Sequence, residues 1–200
     1  MPDVTYHLRD RGGDLAAAWR HHFAGVPEVV PATGDIFGVP VDAVVSPANC
    51  FGFMDGGIDR AYSLRFGWHV QDCLRELIRR DWDGELPIGT ALIVETDAAD
   101  IRYVVAAPTL RAPVNVAKTL NAYLAFRAVL RAVQRHNAKQ PGSIRTVACP
   151  GLATGTGEMP ETICAKQMRE AWDEVEGGRP FQPKGVNDAL MQHYRLLRNE

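Results

Sequence analysis

The sequence predicts an α/β fold, a three-layer α/β/α sandwich in which helices cover both faces of a mixed, mostly parallel central sheet. Apolar residues switch repeatedly along the chain between a strand-like period of two and a helix-like period of three to four. Residues 41–46, VDAVVS, are apolar and β-branched enough to form a central strand buried on both faces. Strands that alternate with helices form parallel or mixed sheets covered on each side.

The N-terminal half of the chain begins with a predicted strand at residues 4–8 and a helix at residues 14–24. Two strands follow at residues 28–32 and 41–46, separated by the turn-forming residues 33–35. A long helical stretch comes after a group of glycines. Its apolar positions recur at three- and four-residue steps: Val70, Cys73, Leu74, Leu77 and Ile78.

The C-terminal half contains three further strands, predicted at residues 90–96, 103–107 and 144–149. A helix precedes the last of these strands, and its inner side carries Val116, Leu120, Tyr123, Leu130 and Val133. Another helix begins near Pro160, where a missing backbone N–H does no harm. Its buried side carries Met168, Trp172 and Val175. A last helix is predicted within residues 178–200, on the spacing of Leu190, Tyr194 and Leu197.

Length and composition indicate one folded domain over residues 1–200. Apolar residues make up 46% of the chain and charged residues 23%, as in ordinary globular proteins. A formal charge of -2 offers no overall attraction for nucleic acid. The local cluster Arg75, Arg79 and Arg80 fits a solvated helix face.

The four cysteines are widely spaced and form no CxxC pair, which is typical of reduced thiols. No apolar run reaches the roughly 18 residues of a membrane span, and no secretory signal is recognisable. We therefore expect a cytoplasmic protein with no membrane partner. His69 and Cys73 are four residues apart, but one such pair does not make a metal site, so no metal is expected.

Two glycine-rich loops each lead from a buried strand into a helix, where ligands bind in α/β sheets. The first loop, residues 49–59, offers an amide at Asn49, backbone N–H groups at Gly56, Gly57 and Ile58, and a carboxylate at Asp59. An amide suits a ribose hydroxyl, and N–H groups at a helix start suit a diphosphate. Alternatively, Asp59 only complements the helix dipole.

The second loop, residues 150–160, contains three glycines and two threonines, without the ending of a Walker A loop. It is either a phosphate-binding loop or a flexible surface turn. A third element is Asp35, which follows a strand. Its carboxylate either accepts a bond from an exocyclic amine such as that of adenine or stabilises its own turn.

Together these three elements resemble the macro domain family, which binds ADP-ribose and its derivatives. Members typically show GD[IL], NAAN, GGVD and a late loop similar to STGIYGYP. The counterparts here are Gly34-Asp35-Ile36, Ser46-Pro47-Ala48-Asn49, Gly56-Gly57-Ile58-Asp59 and the run from Ala153 to Pro160. The order of elements agrees from about residue 28 to about residue 176, which leaves 178–200 as a C-terminal extension or capping helix.

The resemblance implies a role for each matching residue. Asp35 would bind the adenine amine with Ile36 beside the ring, and Asn49 would contact the distal ribose. Asp59 would match the carboxylate that positions or activates a water in family hydrolases. The diphosphate would lie between two walls, formed by Gly56, Gly57 and Ile58 and by Thr154, Gly155, Thr156 and Gly157.

The sequence also departs from the family pattern. Ser46 replaces the first Asn of NAAN, while Met54 and Asp55 replace two glycines. Gly157 stands where an aromatic residue usually packs on the distal ribose. That surface could instead come from Met54, Phe51 or Phe53.

The resemblance therefore implies a protein that binds ADP-ribose, or a closely related adenine nucleotide diphosphate, and hydrolyses an ADP-ribosyl linkage with Asn49 and Asp59. The alternatives are a binding module or sensor without turnover, and an assembly protein that has lost the pocket. No cofactor is expected. The expected partner is ADP-ribose or an ADP-ribosylated substrate, with nucleic acid only in that second role.

Overall fold

A computed structural model of the chain, which describes residues 4–198, contains six strands and six helices in that range. The strands are β1 (Thr5–Asp10), β2 (Val29–Thr33), β3 (Ala43–Ser46), β4 (Leu92–Glu95), β5 (Tyr103–Ala106) and β6 (Thr146–Cys149). The helices are α1 (Gly13–His22), α2 (Gly57–Phe66), α3 (His69–Asp81), α4 (Asn121–Lys139), α5 (Glu161–Val175) and α6 (Val186–Leu196).

The strands form one sheet in the order β2-β1-β6-β3-β5-β4. All neighbouring pairs are parallel except β4 and β5, which are antiparallel. This arrangement confirms the predicted mixed, mostly parallel sheet. Strand β3 lies between β6 and β5 and is buried along its whole length, as its apolar sequence predicts.

The two faces of the sheet bury separate hydrophobic cores, so the architecture has three layers. Along β3, Ala43 and Val45 face the core formed with α1, α4 and α5, while Val44 faces the core formed with α2 and α3. Successive strand residues point to opposite faces, which explains this alternation. The predicted α/β/α sandwich is confirmed.

Two predicted helices differ in their bounds. The long stretch after the glycines is two helices, α2 and α3, because the chain turns at Gly67 with a φ of 100°. Val116 and Leu120, predicted on the inner side of a helix, precede α4, which begins at Asn121. The Val116 N–H instead donates to the Gly157 carbonyl at 2.9 Å, which fastens this segment to the second glycine loop.

The predicted C-terminal helix is α6, which packs against α5 and buries Leu196. Residues 199–200 of the predicted extension, and residues 1–3 of the expected domain, lie outside the described residues. Within residues 4–198, no helix has the length and apolar character that crossing a membrane requires.

Candidate functional site

The carboxyl ends of β2, β1, β6 and β3 meet at one edge of the sheet, because these strands are parallel neighbours in that order. Two cavities lie at this edge. The first has a volume of about 250 Å³ and the second about 370 Å³. They adjoin, since Asp10, Gly57, Ile58 and Pro150 line both of them. The edge therefore offers one elongated depression with two compartments.

Asp35 lies in the first cavity, beside the buried Ile36 and the half-buried Phe37. Its Oδ1 accepts the Phe37 N–H at 2.9 Å, and its Oδ2 accepts Arg11 Nη2 at 2.6 Å. These two bonds, that from Phe37 first, lower the pKa of the Asp35 carboxyl. Asp35 is therefore an ionised acceptor at the wall of a cavity that also has apolar lining.

The residues that end β1 also line the first cavity, and the sequence analysis missed them. Arg9 Nε donates to the Asp35 carbonyl at 3.3 Å, and the Asp10 carboxylate accepts the Gly12 N–H at 2.7 Å. Arg11 pairs with Asp35. Their position could have indicated them, because they come directly after a predicted strand, at the edge of the sheet where ligands bind.

Asn49 lies in the second cavity, but its amide also bonds within its own loop. Its Oδ1 accepts the N–H of Phe51 at 3.0 Å and of Phe53 at 3.3 Å. Its Nδ2 donates to the Phe53 carbonyl at 2.9 Å. Asn49 therefore shapes the loop that follows β3, a role that its sequence motif does not reveal. Its predicted contact with a ribose stays a prediction.

The glycines of the first loop open the second cavity at the start of α2. A Cβ added to Gly56 or Gly57 would meet no atom within 4 Å, so neither glycine is required by packing. Gly57 has a φ of 54°, and no side chain caps the helix. Bare glycine at an uncapped helix start lets an anion approach the N–H groups of the first turn.

Asp59 lies in the first turn of α2, buried, and lines the second cavity. It does not cap the helix. The hydroxyl of Ser46, the last residue of β3, donates to Asp59 Oδ1 at 2.6 Å. Burial raises the pKa of the Asp59 carboxyl to about 7, against the opposing effect of the Ser46 hydrogen bond. Asp59 is thus a carboxylate that exchanges protons near neutral pH and faces a cavity.

Thr154, Gly155, Thr156 and Gly157 line the second cavity together with the first loop. Internal hydrogen bonds hold their loop in shape. The Glu158 N–H donates to the Gly155 carbonyl at 2.9 Å, and the Met159 N–H donates to the Ala153 carbonyl at 3.0 Å. Because these bonds hold the loop in one shape, it forms a defined wall of the cavity. This argues against the alternative of a flexible surface turn.

Replacing Gly157 by alanine is expected to destabilise this wall. The new Cβ would lie 2.4 Å from the Ala153 carbonyl oxygen and 2.8 Å from Val116 Cγ2. We expect the free energy of unfolding, measured by urea denaturation, to fall by about 1–3 kcal/mol. The matched control is Gly155→Ala, whose Cβ meets nothing within 4 Å. Equal stability of the two variants would show that Gly157 is not needed for packing.

The departures from the family motif have different structural outcomes. Met54 is fully buried, its N–H donates to Gln71 Oε1 and its carbonyl accepts from Ser63, so it cannot supply a surface for a sugar.

Phe53 is 43% exposed and lines the second cavity, with the Arg75 guanidinium 4.3 Å from its ring centroid. Phe53 is therefore the aromatic residue available there. Asp55 is exposed at the same cavity.

Comparisons with known proteins agree with the fold. The family model described as Macro domain matches residues 45–168. An uncharacterised protein of Aquifex aeolicus is 27% identical over 158 residues, which are 79% of this chain and 85% of that protein.

Solved macrodomains share the fold at low sequence identity. The macrodomain of Mycobacterium tuberculosis DarG superposes with a TM-score of 0.60 at 22% identity, over 72% of this chain and 89% of that chain. A variant of the Oceanobacillus iheyensis macrodomain, solved with ADPR, has a TM-score of 0.56 at 19% identity, over 69% of this chain and 72% of that chain.

Proposed function

The chain belongs to the macro domain family, and on that premise we propose that it binds ADP-ribose across the two adjoining cavities. One observation carries the proposal. The first cavity presents an ionised carboxylate, and the second is lined by both glycine loops together with Asn49 and Asp59. A ligand with a base, a diphosphate and a distal sugar in that order matches this succession of groups.

In the proposed complex, the adenine amine donates to Asp35 and the ring lies beside Ile36. The diphosphate accepts from the N–H groups of Gly57 and Ile58 on one side and faces residues 154–157 on the other. The distal ribose then reaches Asn49 and Asp59. Arg11 Nη2 donates to Asp35 Oδ2, so an incoming amine shares that oxygen or displaces the guanidinium.

We further propose that the protein hydrolyses an ADP-ribosyl linkage, glycosidic or ester. Ionised Asp59 accepts a proton from a water whose oxygen forms a bond to the anomeric carbon of the distal ribose. The bond from that carbon to the leaving group breaks, and the leaving group takes the electron pair and a proton from solvent. Asp59 then returns the proton that it accepted to solvent. Asn49 holds the ribose. The burial of Asp59 beside the cavity and its pKa of about 7 support this role.

A second candidate function is recognition of ADP-ribose without turnover. Specific contacts favour it. The Asn49 amide already bonds to its own loop, and one Asp59 oxygen accepts from Ser46. If these bonds persist in the complex, both side chains support the shape of the pocket instead of acting on the ligand. Release of ADP-ribose from a mono-ADP-ribosylated protein distinguishes the two functions.

Asp35→Ala is expected to weaken ADP-ribose binding by about tenfold, because it removes one hydrogen bond to a charged acceptor. Calorimetric titration measures the effect. The control ligand is inosine diphosphate ribose, which lacks the exocyclic amine. Wild-type protein should bind this ligand more weakly than ADP-ribose, and Asp35→Ala should bind the two ligands alike. If the variant loses affinity for both ligands equally, Asp35 does not recognise the exocyclic amine.

A further inference from the structure

Helix α4 carries a line of cations far along the chain from the loops described above. Arg127, Arg131, Arg135 and Lys139 recur at every fourth residue, which places them on one face of the helix about 6 Å apart along its axis. We call these four residues the cationic stripe. Such a spacing makes a nearly continuous line of positive charge about 18 Å long.

The cationic stripe forms one wall of a groove with a volume of about 350 Å³. The other wall consists of residues 89–93, at the start of the edge strand β4, together with Trp82 at the end of α3. None of the described residues that line the groove is acidic, and none of them lines either cavity of the ADP-ribose site. The groove is therefore a separate, positively charged feature.

Most of the stripe is not neutralised by the protein itself. Within residues 4–198, Arg131, Arg135 and Lys139 have no carboxylate at ion-pair distance, while Arg127 Nε lies 3.3 Å from Glu174. In the cluster noted in the sequence, two of the three arginines pair with carboxylates, while Arg75 lies over the Phe53 ring. Arg79 pairs with Glu76 at 2.6 Å and Arg80 with Asp81 at 2.7 Å. Helix α4 thus carries three cations in a row on one face without a carboxylate partner among the described residues, in a chain whose formal charge is -2.

We propose that this groove binds the backbone of a single-stranded nucleic acid. Three of the four stripe cations are arginines, whose planar forks match phosphate oxygens better than an ammonium does. The other wall includes Ala91, Ile93 and the half-buried Trp82, whose indole is the kind of surface on which unstacked bases stack. In the proposed complex one strand lies along the groove, with its phosphates against the cationic stripe. The overall charge does not predict this partner, but the local placement does.

The test is fluorescence anisotropy with a labelled oligothymidylate of 12 nucleotides at low salt. The double variant Arg131→Gln/Arg135→Gln is expected to weaken binding at least tenfold. It should also reduce the salt dependence of log K by about 1.4, because two phosphate contacts are lost. The matched control is Arg79→Gln/Arg80→Gln, which removes the same charge from an exposed helix face. We expect its affinity to stay within twofold of wild type.

Three outcomes would overturn the proposal. They are no binding by the wild type, equal loss in both double variants, or binding of polyglutamate or of a duplex as tight as that of the single strand. Calorimetry with ADP-ribose separates this result from the proposed function. Because none of the described residues lines both the groove and either cavity, the stripe variant should retain wild-type affinity for ADP-ribose.

Discussion

Replacing Asp59 by asparagine is expected to slow release of ADP-ribose from a mono-ADP-ribosylated substrate by about 100- to 10,000-fold. Asparagine keeps the shape of the side chain and still accepts the Ser46 hydroxyl, but it cannot take a proton from water. Affinity for ADP-ribose should therefore stay within a few-fold of wild type. Single-turnover kinetics and calorimetric titration measure the two quantities separately.

Two controls show whether a loss of activity in Asp59→Asn comes from the chemistry. Asp55→Asn changes an exposed carboxylate at the same cavity and should leave the rate of release nearly unchanged. Because folding raises the pKa of Asp59 from 3.8 to about 7, this carboxyl lowers the free energy of unfolding progressively between those two pH values, and the loss is complete at pH 8. Asp59→Asn should therefore melt at or above the wild-type temperature at pH 8. A wild-type rate in Asp59→Asn would show that hydrolysis does not need Asp59 and would contradict the proposed mechanism.

The rate of hydrolysis is expected to rise with pH, because only the ionised form of Asp59 accepts a proton. With a pKa of about 7, kcat/KM should fall about tenfold per pH unit below neutrality. The loss between the alkaline plateau and pH 5 should be about a hundredfold. Ser46→Ala removes the hydrogen bond that lowers this pKa, so its profile should shift to higher pH.

A kcat/KM profile over pH 5 to 9 with a stable ADP-ribosylated substrate measures both effects. Thr109→Val is a suitable control, because Thr109 is buried and lines the same cavity but its hydroxyl donates to the Pro47 carbonyl instead of to Asp59. Its profile should keep the wild-type midpoint. A wild-type profile that is flat, or a midpoint unchanged in Ser46→Ala, would contradict a role for Asp59 as the base.

The layers of the fold were predictable because the apolar patterns that indicate each strand and helix are local in the sequence. The apolar run of residues 41–46 marks a strand that is buried on both faces, and β3 is that strand. The break between α2 and α3 was harder to see. Gly67 is the only residue there of a type that commonly ends a helix, and an isolated glycine is tolerated within many helices.

The loops that form the candidate site were predictable from the sequence, but the hydrogen bonds between its residues were not. Parallel topology brings the loops after β2, β3 and β6 to one edge, so pattern and topology suffice for that step. The Ser46 hydrogen bond to Asp59 depends on how α2 packs over the end of β3, which no local pattern records. The same holds for Arg11 and Asp35, which lie 24 residues apart.

The cationic stripe shows a different limit. The four-residue spacing of the stripe is visible in the sequence, but an arginine at every fourth residue is also typical of an ordinary solvated helix face. The two helix faces differ in pairing, since Arg79 and Arg80 pair with carboxylates, whereas Arg131 and Arg135 have no such partner in the part of the chain that the structure describes. Only the folded structure provides that information.

A crystal structure of the protein soaked with ADP-ribose tests the central proposal most directly. We expect the adenine amine to contact Asp35 and the diphosphate to lie between Gly56–Ile58 and Thr154–Gly157. The distal ribose should lie in the second cavity within reach of Asn49 and Asp59. An empty depression at saturating ligand, or ADP-ribose bound with its distal ribose at Asp35, would contradict the proposed site.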